Sequence, residues 1–262
     1  MTIIIPVIAA MIITESYFIW QESLNQFWNY GYSGSFGDCL MYIFKGIREF
    51  NPEIDNEFIV PVAYLTINII IAIFISGHAV KDLRGYGMKK LIRYGSKFRW
   101  WNTSCVWNVL CVLKYYACFY IGVALMCIIH FKDMDAGSPI VIHEDIINSV
   151  FEGEAEGTVQ TGLLLVMIIV LPIFTTIAMS MLQMALEFFV LPSVSFICIM
   201  AVYILSVFYM SPFMPGNYMM VYRMNQINHD GVGLMQGVLI DMAIIIVSIV
   251  VGYAGLKKRD II

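Results

Sequence analysis

Residues 160–210 read QTGLLLVMIIVLPIFTTIAMSMLQMALEFFVLPSVSFICIMAVYILSVFYM and carry a single charged side chain, that of Glu187. About 20 mostly apolar helical residues cross a bilayer core, whereas these 51 residues would form a helix of about 76 Å. The stretch therefore has to fold back on itself, and the polar residues Gln183 and Glu187 mark the predicted turn. Two membrane spans are predicted, at about 160–183 and 186–210.

Four further apolar stretches of sufficient length occupy about 1–20, 59–80, 104–130 and 235–256. Of all 262 residues, 60% are hydrophobic and only 13% are charged, which is about half the charged share of a soluble domain. The strict alternation that is typical of membrane barrels is absent. The sequence thus predicts an all-α, polytopic membrane protein with six transmembrane helices in one domain, 1–262, and excludes an ordinary soluble enzyme.

The basic residues predict how the spans are oriented. Of the 15 Lys and Arg residues, seven lie between Lys81 and Arg99 and three lie at 257–259. Cytoplasmic loops are enriched in Lys and Arg, so both segments are predicted to be cytoplasmic. Since an even number of spans precedes each segment, the N-terminus is predicted to be cytoplasmic as well. The loops assigned to the outside, which hold 14 of the 19 acidic residues, are 21–58, 131–159 and 211–234.

The cytoplasmic loop 81–103 contains a short amphipathic pattern. Its basic side chains are separated from an apolar face, which predicts a helix lying at the inner membrane surface, with Trp100 and Trp101 as interfacial anchors. The same pattern fits a loop that contacts anionic lipid and a helix that docks a soluble partner. The apolar residues near one face are Met88, Leu91, Ile92 and Tyr94.

Two charged residues fall well inside predicted spans, Lys114 and Asp241, whereas Glu15 and Glu187 lie near span ends. A charge near the centre of a bilayer costs about 2.5–3.5 kcal/mol on insertion scales. The two residues are therefore predicted either to form a structural salt bridge between helices or to line a substrate or proton route. Other polar residues that would belong to such a route are Asn108, Thr175, Thr176 and Gln183.

No catalytic or metal site is predicted. Residues 31–34 read GYSG and match the G-x-S-G pattern around the nucleophile of rhomboid proteases, but they lie in a loop with no histidine placed to activate Ser33, so a turn is favoured. The acidic loop 131–159 lacks the ligand spacing of a dedicated metal site. A phosphate-binding loop is also missing, so ATP would have to be bound by another chain.

Two sets of short motifs stand out. The first comprises Gly37-Asp38, Tyr42 to Gly46, Pro61, Asp82-Leu83, Gly85 to Gly87, Leu91 to Ser96, Trp100-Trp101 and Tyr115-Tyr116. The second comprises Pro215 to Met219 with Arg223. Through these motifs about a third of the chain resembles a group of ABC-2-type transporter permeases of bacteria, mainly Gram-positive anaerobes.

The resemblance implies a six-span permease subunit of an exporter in the bacterial plasma membrane, among membrane lipids. Its partners would be a dimer of ABC ATPase subunits, which bind ATP and Mg²⁺, and a second permease subunit, identical or homologous. This chain would perform no chemistry and would bind no cofactor or nucleic acid. The substrate would be a peptide, an antibiotic or a lipid-like molecule.

In ABC-2 exporters the loop between spans two and three docks on the ATPase, and loop 81–103 occupies that position. The residues expected to couple the two subunits are Arg84, Met88, Leu91, Ile92, Arg93 and Tyr94. A second interpretation is a non-transporting scaffold or immunity subunit that binds an extracellular peptide and recruits a cytoplasmic partner.

Overall fold

The computed structural model describes residues 3–28, 34–50, 60–130 and 161–258, with Phe58, Ile142, Ile147 and 149–151. This part of the chain is helical, and its only strand-like pairing is an isolated bridge between Met224 and Val232. Within helices, the side chains outside the description are those of Phe27, Trp28, Arg84, Tyr86, Lys90, Ile92, Tyr94 and Thr161.

Ile147, Ser149 and Val150 are helical, and the helices whose bounds are described are numbered in chain order. They are α1 (Ile4–Trp28), α2 (Phe36–Phe44), α3 (Val62–Ile75), α4 (His78–Arg84), α5 (Tyr86–Tyr94), α6 (Lys97–His130), α7 (Thr161–Leu165, the π-helical Val166–Val170 and Leu171–Leu186), α8 (Pro192–Phe208) and α9 (Leu234–Lys258). Two 3₁₀ turns, Pro215–Met219 and Val221–Arg223, connect α8 to α9.

Five segments of the described chain are long and apolar enough to cross a membrane. They are Ile4–Gln26, Val62–Leu83, Lys97–His130, Gly162–Leu186 and Leu234–Lys258. The fifth predicted span, 186–210, corresponds to α8, which has only 17 residues and a length of about 26 Å.

The fold-back between α7 and α8 differs from the prediction. Gln183 lies inside α7, which continues to Leu186, and the chain reverses over the residues that follow, from Glu187 to Leu191. The connection uses residues that had been assigned to the fifth span, and Pro192 begins α8 because proline fits the first turn of a helix. This is why α8 is shorter than predicted.

The long helices alternate in direction. α1 runs parallel to α6, because Ala10 lies against Gly122 while Glu15 lies 3.6 Å from His130, further along both helices. α7 runs parallel to α9 and to α3. The chain of α3 and α4 runs antiparallel to α6, as the contacts Ile67–Tyr115 and Asp82–Trp100 show. α7 is also antiparallel to α6, through Asn108–Ser180 and Tyr120–Ile169. α8 is antiparallel to α3, through Tyr64–Tyr203 and Ser76–Pro192. The alternation agrees with the order of up and down spans that the six-span prediction requires.

α7 is the central helix of the bundle and contacts α3, α6, α8 and α9. Beside it, α2 fills a position that the sequence had assigned to an outer loop. Ser35 and Asp38 cap this helix reciprocally, and seven of its nine residues are buried. Among them, Cys39 lies in the same apolar core as Cys127 of α6, and both are free thiols.

The predicted interfacial anchors Trp100 and Trp101 are core residues instead. Trp101 is fully buried, and its Nε1 donates to the carbonyl oxygen of Ile249 at 2.9 Å. Its ring packs so closely on α9 that a Cβ at Gly252 would overlap with it. The prediction was wrong because α6 begins at Lys97, so both tryptophans belong to the span rather than to the loop.

Candidate functional site

One face of α7 carries polar side chains at helical spacing. Thr176, Ser180, Gln183 and Glu187 are each at most 4% exposed, and their spacing places them on one side of the helix. We call this set the α7 polar stripe. Two of its hydrogen bonds reach α6: one joins the hydroxyls of Thr176 and Tyr116 (2.8 Å), and in the other Ser180 donates to the amide oxygen of Asn108 (2.8 Å). A third reaches α3, where Gln183 donates to the carbonyl oxygen of Ala72 (2.9 Å).

Most of the predicted polar route thus lies together around α7. Asn108, Thr175, Thr176 and Gln183 are all buried, and each hydrogen-bonds or closely approaches a neighbouring helix. Such bonds between membrane helices contribute about 0.6 kcal/mol each on average. In this conformation the route residues hold α3, α6, α7 and α9 together.

Asp241 joins this cluster from α9, whereas Lys114 does not. The buried Asp241 accepts a hydrogen bond from Thr175 at 2.7 Å through Oδ2, and its Oδ1 has no hydrogen-bond partner among the described residues. No ion pair joins it to Lys114, which is exposed. The predicted salt bridge is absent because α6 turns Tyr115 and Tyr116 towards α3 and α7, and Lys114 therefore points away from the bundle.

Lys114 lies at the middle of α6. It is 17 residues from Lys97 and 16 residues from His130, the two ends of the helix. A lysine side chain can reach an interface only from near a helix end. The exposed neighbours Leu110, Leu113 and Ile121 leave the cation on an apolar surface.

Glu187 ends the α7 polar stripe at a joint between helices. Its Oε1 accepts a hydrogen bond of 2.6 Å from the backbone N–H of Gly77, which separates α3 from α4 in a left-handed conformation (φ +73°). Burial raises the pKa of Glu187 from 4.5 to about 7, although the Gly77 bond and the charge of Lys81 oppose the shift. The carboxyl therefore titrates near neutral pH.

We expect Glu187 to make the stability of the protein depend on pH. Because its pKa is higher in the folded chain, the folded state binds more protons, and the free energy of unfolding should fall as pH rises from about 4.5 to about 7. Glu187→Gln should flatten this part of the profile. Thermal unfolding of both proteins in detergent between pH 4.5 and 8 measures the effect, and equal slopes would contradict it.

α4 and α5 form a helical hairpin, residues 78–94, at the end of the bundle where α9 terminates. We call it the basic hairpin. Leu91 is 8% exposed and packs with Leu83, Trp100 and Trp101 in the core at this end. The Asp82 carboxylate accepts a hydrogen bond of 3.2 Å from Nε1 of Trp100, which ties α4 to α6.

The predicted coupling residues of the hairpin differ in whether they are buried against the bundle or exposed. Leu91 anchors it to the bundle, Met88 is half-buried and Arg93 is exposed, as are Lys81 and Lys89. Arg84, Ile92 and Tyr94 belong to the same helices, and their side chains lie outside the description. Of the described side chains, Leu91 on the apolar face therefore packs on protein, whereas the cations of Lys81, Lys89 and Arg93 face the surroundings.

A cavity of about 440 Å³ opens at the opposite end of the bundle, between α1, α2 and the start of α3. We call it the outer cavity, since the basic residues predict that this end faces the outside. Its lining includes Ser16, Tyr42, Lys45, Ile47, Arg48, Phe50, Val60, Val62, Ala63, Tyr64 and Tyr222.

Arg223 fixes the chain around this cavity. Its side chain is fully buried, and its Nε donates to the carbonyl oxygen of Ile47 at 2.9 Å, while Nη2 donates to that of Val207 at 2.5 Å. Nη1 donates to the carbonyl of Ser206 and, at 2.6 Å, to the amide oxygen of Asn217. Burial lowers the pKa of Arg223 to about 10, which still leaves the guanidinium charged at neutral pH.

The guanidinium thus caps the C-terminal end of α8, where unpaired carbonyls and the helix dipole favour a cation. Sequence reasoning noted Arg223 beside the Pro215 to Met219 motif but assigned it no role. The motif was the signal in the sequence that could have indicated this role. Asn217 in that turn accepts a hydrogen bond from the guanidinium and orients it, and the Asn217 amide also donates to the carbonyls of Tyr209 and Ser211.

Two predicted candidates fall elsewhere. Ser33 and most of the acidic loop 131–159 lie outside the described residues. Within the ranges that are described, no three His, Cys, Asp or Glu side chains are grouped so that they would hold a metal ion.

Comparison with known proteins gives one match. A family model described as "Protein of unknown function (DUF2705)" matches residues 3–262. No curated protein and no solved structure matches the chain.

Proposed function

The chain belongs to the DUF2705 family, whose description assigns no function, and we propose that it is the membrane subunit of an ATP-driven exporter in the bacterial plasma membrane. In this role it performs no chemistry. A separate ATPase dimer binds ATP and Mg²⁺ and docks on the basic hairpin, and the spans respond by exposing a substrate route alternately to the two sides. The substrate class is a peptide, an antibiotic or a lipid-like molecule.

The observation that carries the proposal is the basic hairpin. It joins two long apolar helices at one end of the bundle, and it exposes Lys81, Lys89 and Arg93 while Leu91 holds it in the core. A docking element needs an exposed recognition surface and a rigid attachment to the part that it moves, and the hairpin has both.

Its connections would transmit a displacement to three helices. α4 follows α3 across Gly77, and α5 leads into α6 across Gly95, whose φ of +63° also favours glycine. The third connection is the bond between Gly77 and Glu187 at the end of α7. A movement of the hairpin would therefore reach α3, α6 and the α7 polar stripe together.

Lys114 supports a second membrane subunit. A cation at the centre of an apolar, exposed helix face is stabilised when another helix supplies a carboxylate or a polar group. The described part of this chain supplies none, because Asp241 faces the bundle interior. A partner span packed on α6 would remove Lys114 from lipid.

The outer cavity favours a second candidate function, a scaffold or immunity subunit that binds an extracellular ligand and recruits a cytoplasmic partner. Both functions use the hairpin for docking. They differ in whether the recruited partner hydrolyses ATP in response to the ligand, which the purified complex can report.

Reversing the hairpin's charge should remove the ATPase. We expect the double variant Lys89→Glu, Arg93→Glu to lower ATP hydrolysis in the complex, purified by a tag on this chain from its native membrane, by at least about tenfold, since both side chains are exposed and would repel an acidic docking surface. Hydrolysis per mole of tagged chain and the subunit composition by mass spectrometry are the measurements.

Arg99→Glu is the matched control, because Arg99 is exposed on α6 beside the hairpin but outside it. It should retain the ATPase. Wild-type complexes that contain no subunit with a phosphate-binding loop, or a double variant that keeps full hydrolysis, would overturn the proposal.

A further inference from the structure

We propose that the exposed side of α6 around Lys114 packs on a membrane span of a different chain, and that this span carries an aspartate or glutamate at the depth of Lys114. The carboxylate of that residue would pair with the Lys114 ammonium inside the membrane. This pairing rests on the second membrane subunit of the proposed function, and it names two properties of that subunit. The subunit has an acidic residue within a span, and it is not a second copy of this chain.

The surface concerned is one side of α6, which we call the Lys114 face. Its residues recur every three, four or seven positions, which places them on one side of the helix. All of them are exposed: Leu110, Lys114, Ala117, Ile121 and Ile128. Tyr115, Tyr116 and Phe119 are at most 3% exposed and point into the bundle. α6 therefore turns one side to the bundle and the Lys114 face away from the described helices.

Lys114 is the only charged residue of α6 between Arg99 and His130. No described residue forms an ion pair with it. Lipid chains provide no group that compensates a cation, and both ends of α6 are at least 16 residues away. The ammonium therefore needs a polar group that another molecule supplies at the same depth.

A carboxylate on a neighbouring span meets this need. Ionisable residues inside membranes commonly pair with one another, and the attraction between opposite charges is stronger in a low dielectric than in water. Ala117 lies one turn from Lys114, and small side chains let two membrane helices approach closely. An acidic side chain of the neighbouring helix can then reach the ammonium.

A second copy of this chain has no suitable carboxylate. Within the candidate spans the acidic residues are Glu15, Glu22, Asp82 and Asp241. Asp241 is fully buried, and Asp82 lies at the end of the bundle that carries the basic hairpin. Glu15 lies beside His130 at the other end of α6, and Glu22 follows it along α1. A two-fold axis through the Lys114 face would also bring two ammonium groups together, and like charges repel.

Docking of the ATPase and pairing at Lys114 are separable, because different residues form the basic hairpin and the Lys114 face. Loss of the pairing would leave the docking site for the ATPase in place, and loss of docking would leave the pairing. A measurement of contact inside the membrane therefore distinguishes the failure of one from the failure of the other.

Photo-crosslinking in the native membrane tests the pairing. The tagged full chain carries Ile121→p-benzoylphenylalanine, at a position of the Lys114 face that is 56% exposed, and mass spectrometry identifies the adducts after irradiation. We expect an adduct with another membrane protein whose cross-linked span contains an aspartate or glutamate. Lys114→Glu should reduce this adduct at least about tenfold, because it places like charges opposite each other. Lys114→Arg keeps the charge and should retain the adduct.

A charge exchange gives the decisive comparison. Replacing the acidic residue of the cross-linked span by lysine should also remove the adduct, and combining that change with Lys114→Glu should restore it. Lys258→Glu is the matched control, because Lys258 is exposed at the end of α9, and it should leave the adduct unchanged. Thermal unfolding in detergent should be alike for Lys114→Glu and the wild type, since Lys114 is exposed.

Four results would overturn the pairing. They are adducts with lipid alone, an adduct with a second copy of this chain, an adduct with a span that has no acidic residue, and a charge exchange that does not restore the adduct.

Discussion

Replacing Arg223 by methionine is expected to lower the free energy of unfolding by about 3–5 kcal/mol, because one guanidinium supplies the donors for several buried carbonyl oxygens. Those of Ile47, Ser206 and Val207 are among its acceptors. Methionine has a similar length and no N–H group, so it would leave these oxygens buried without a donor. The shift of the thermal unfolding midpoint in detergent measures the loss.

Arg99→Met is the matched control, because Arg99 is exposed and exposed substitutions usually change stability by less than about 0.5 kcal/mol. Arg223→Lys keeps the charge but not the planar set of donors, and an intermediate loss is expected. If Arg223→Met unfolds at the same temperature as Arg99→Met, the cap at the end of α8 is not a stabilising interaction.

Trp101→Ala is expected to cost a further large amount, about 3–5 kcal/mol, because it removes the largest side chain of a close-packed core. Trp101 is fully buried against Phe188 and the α9 backbone at Gly252. The truncation would leave a cavity where α6, α7 and α9 meet, since Gly252 has no side chain to fill it. Thermal unfolding of the purified protein in detergent is again the measurement.

Phe98→Ala provides the comparison, because Phe98 is an aromatic residue of the same helix that is 53% exposed. Its truncation should change the midpoint only slightly. Trp101→Phe keeps much of the volume but removes the donor to Ile249, so it should fall between the two. Equal destabilisation by Trp101→Ala and Phe98→Ala would show that Trp101 behaves as an interfacial residue after all.

The long helices could be predicted from the sequence because a membrane span needs an uninterrupted apolar run. The predicted spans 59–80 and 235–256 differ by only a few residues from Val62–Leu83 and Leu234–Lys258. α2 gave no such signal. It has nine residues and includes Asp38, and its burial depends on packing against α1 and α6, which only the folded chain reveals.

The sequence predicted where the candidate site residues lie along their helices, but it did not predict which residues they contact. The apolar face of the basic hairpin was recognised, yet periodicity does not tell whether lipid or protein covers it, and Leu91 is covered by protein. For Lys114 and Asp241, the sequence gives the position of each residue along its helix. The rotation of the helix decides whether they meet, and that rotation is set by Tyr115 and Tyr116 on α6.

The parallel packing of α1 on α6 has a consequence for biosynthesis. Ala10 and Gly122, which touch in the bundle, are made far apart in time, since the ribosome adds about 5–20 residues per second. For roughly 6–22 s the first helix exists without its main neighbour. The nascent chain therefore has to retain α1 beside the insertion machinery or in lipid until α6 emerges, and the final helix order is established only after more than half of the protein has been synthesised.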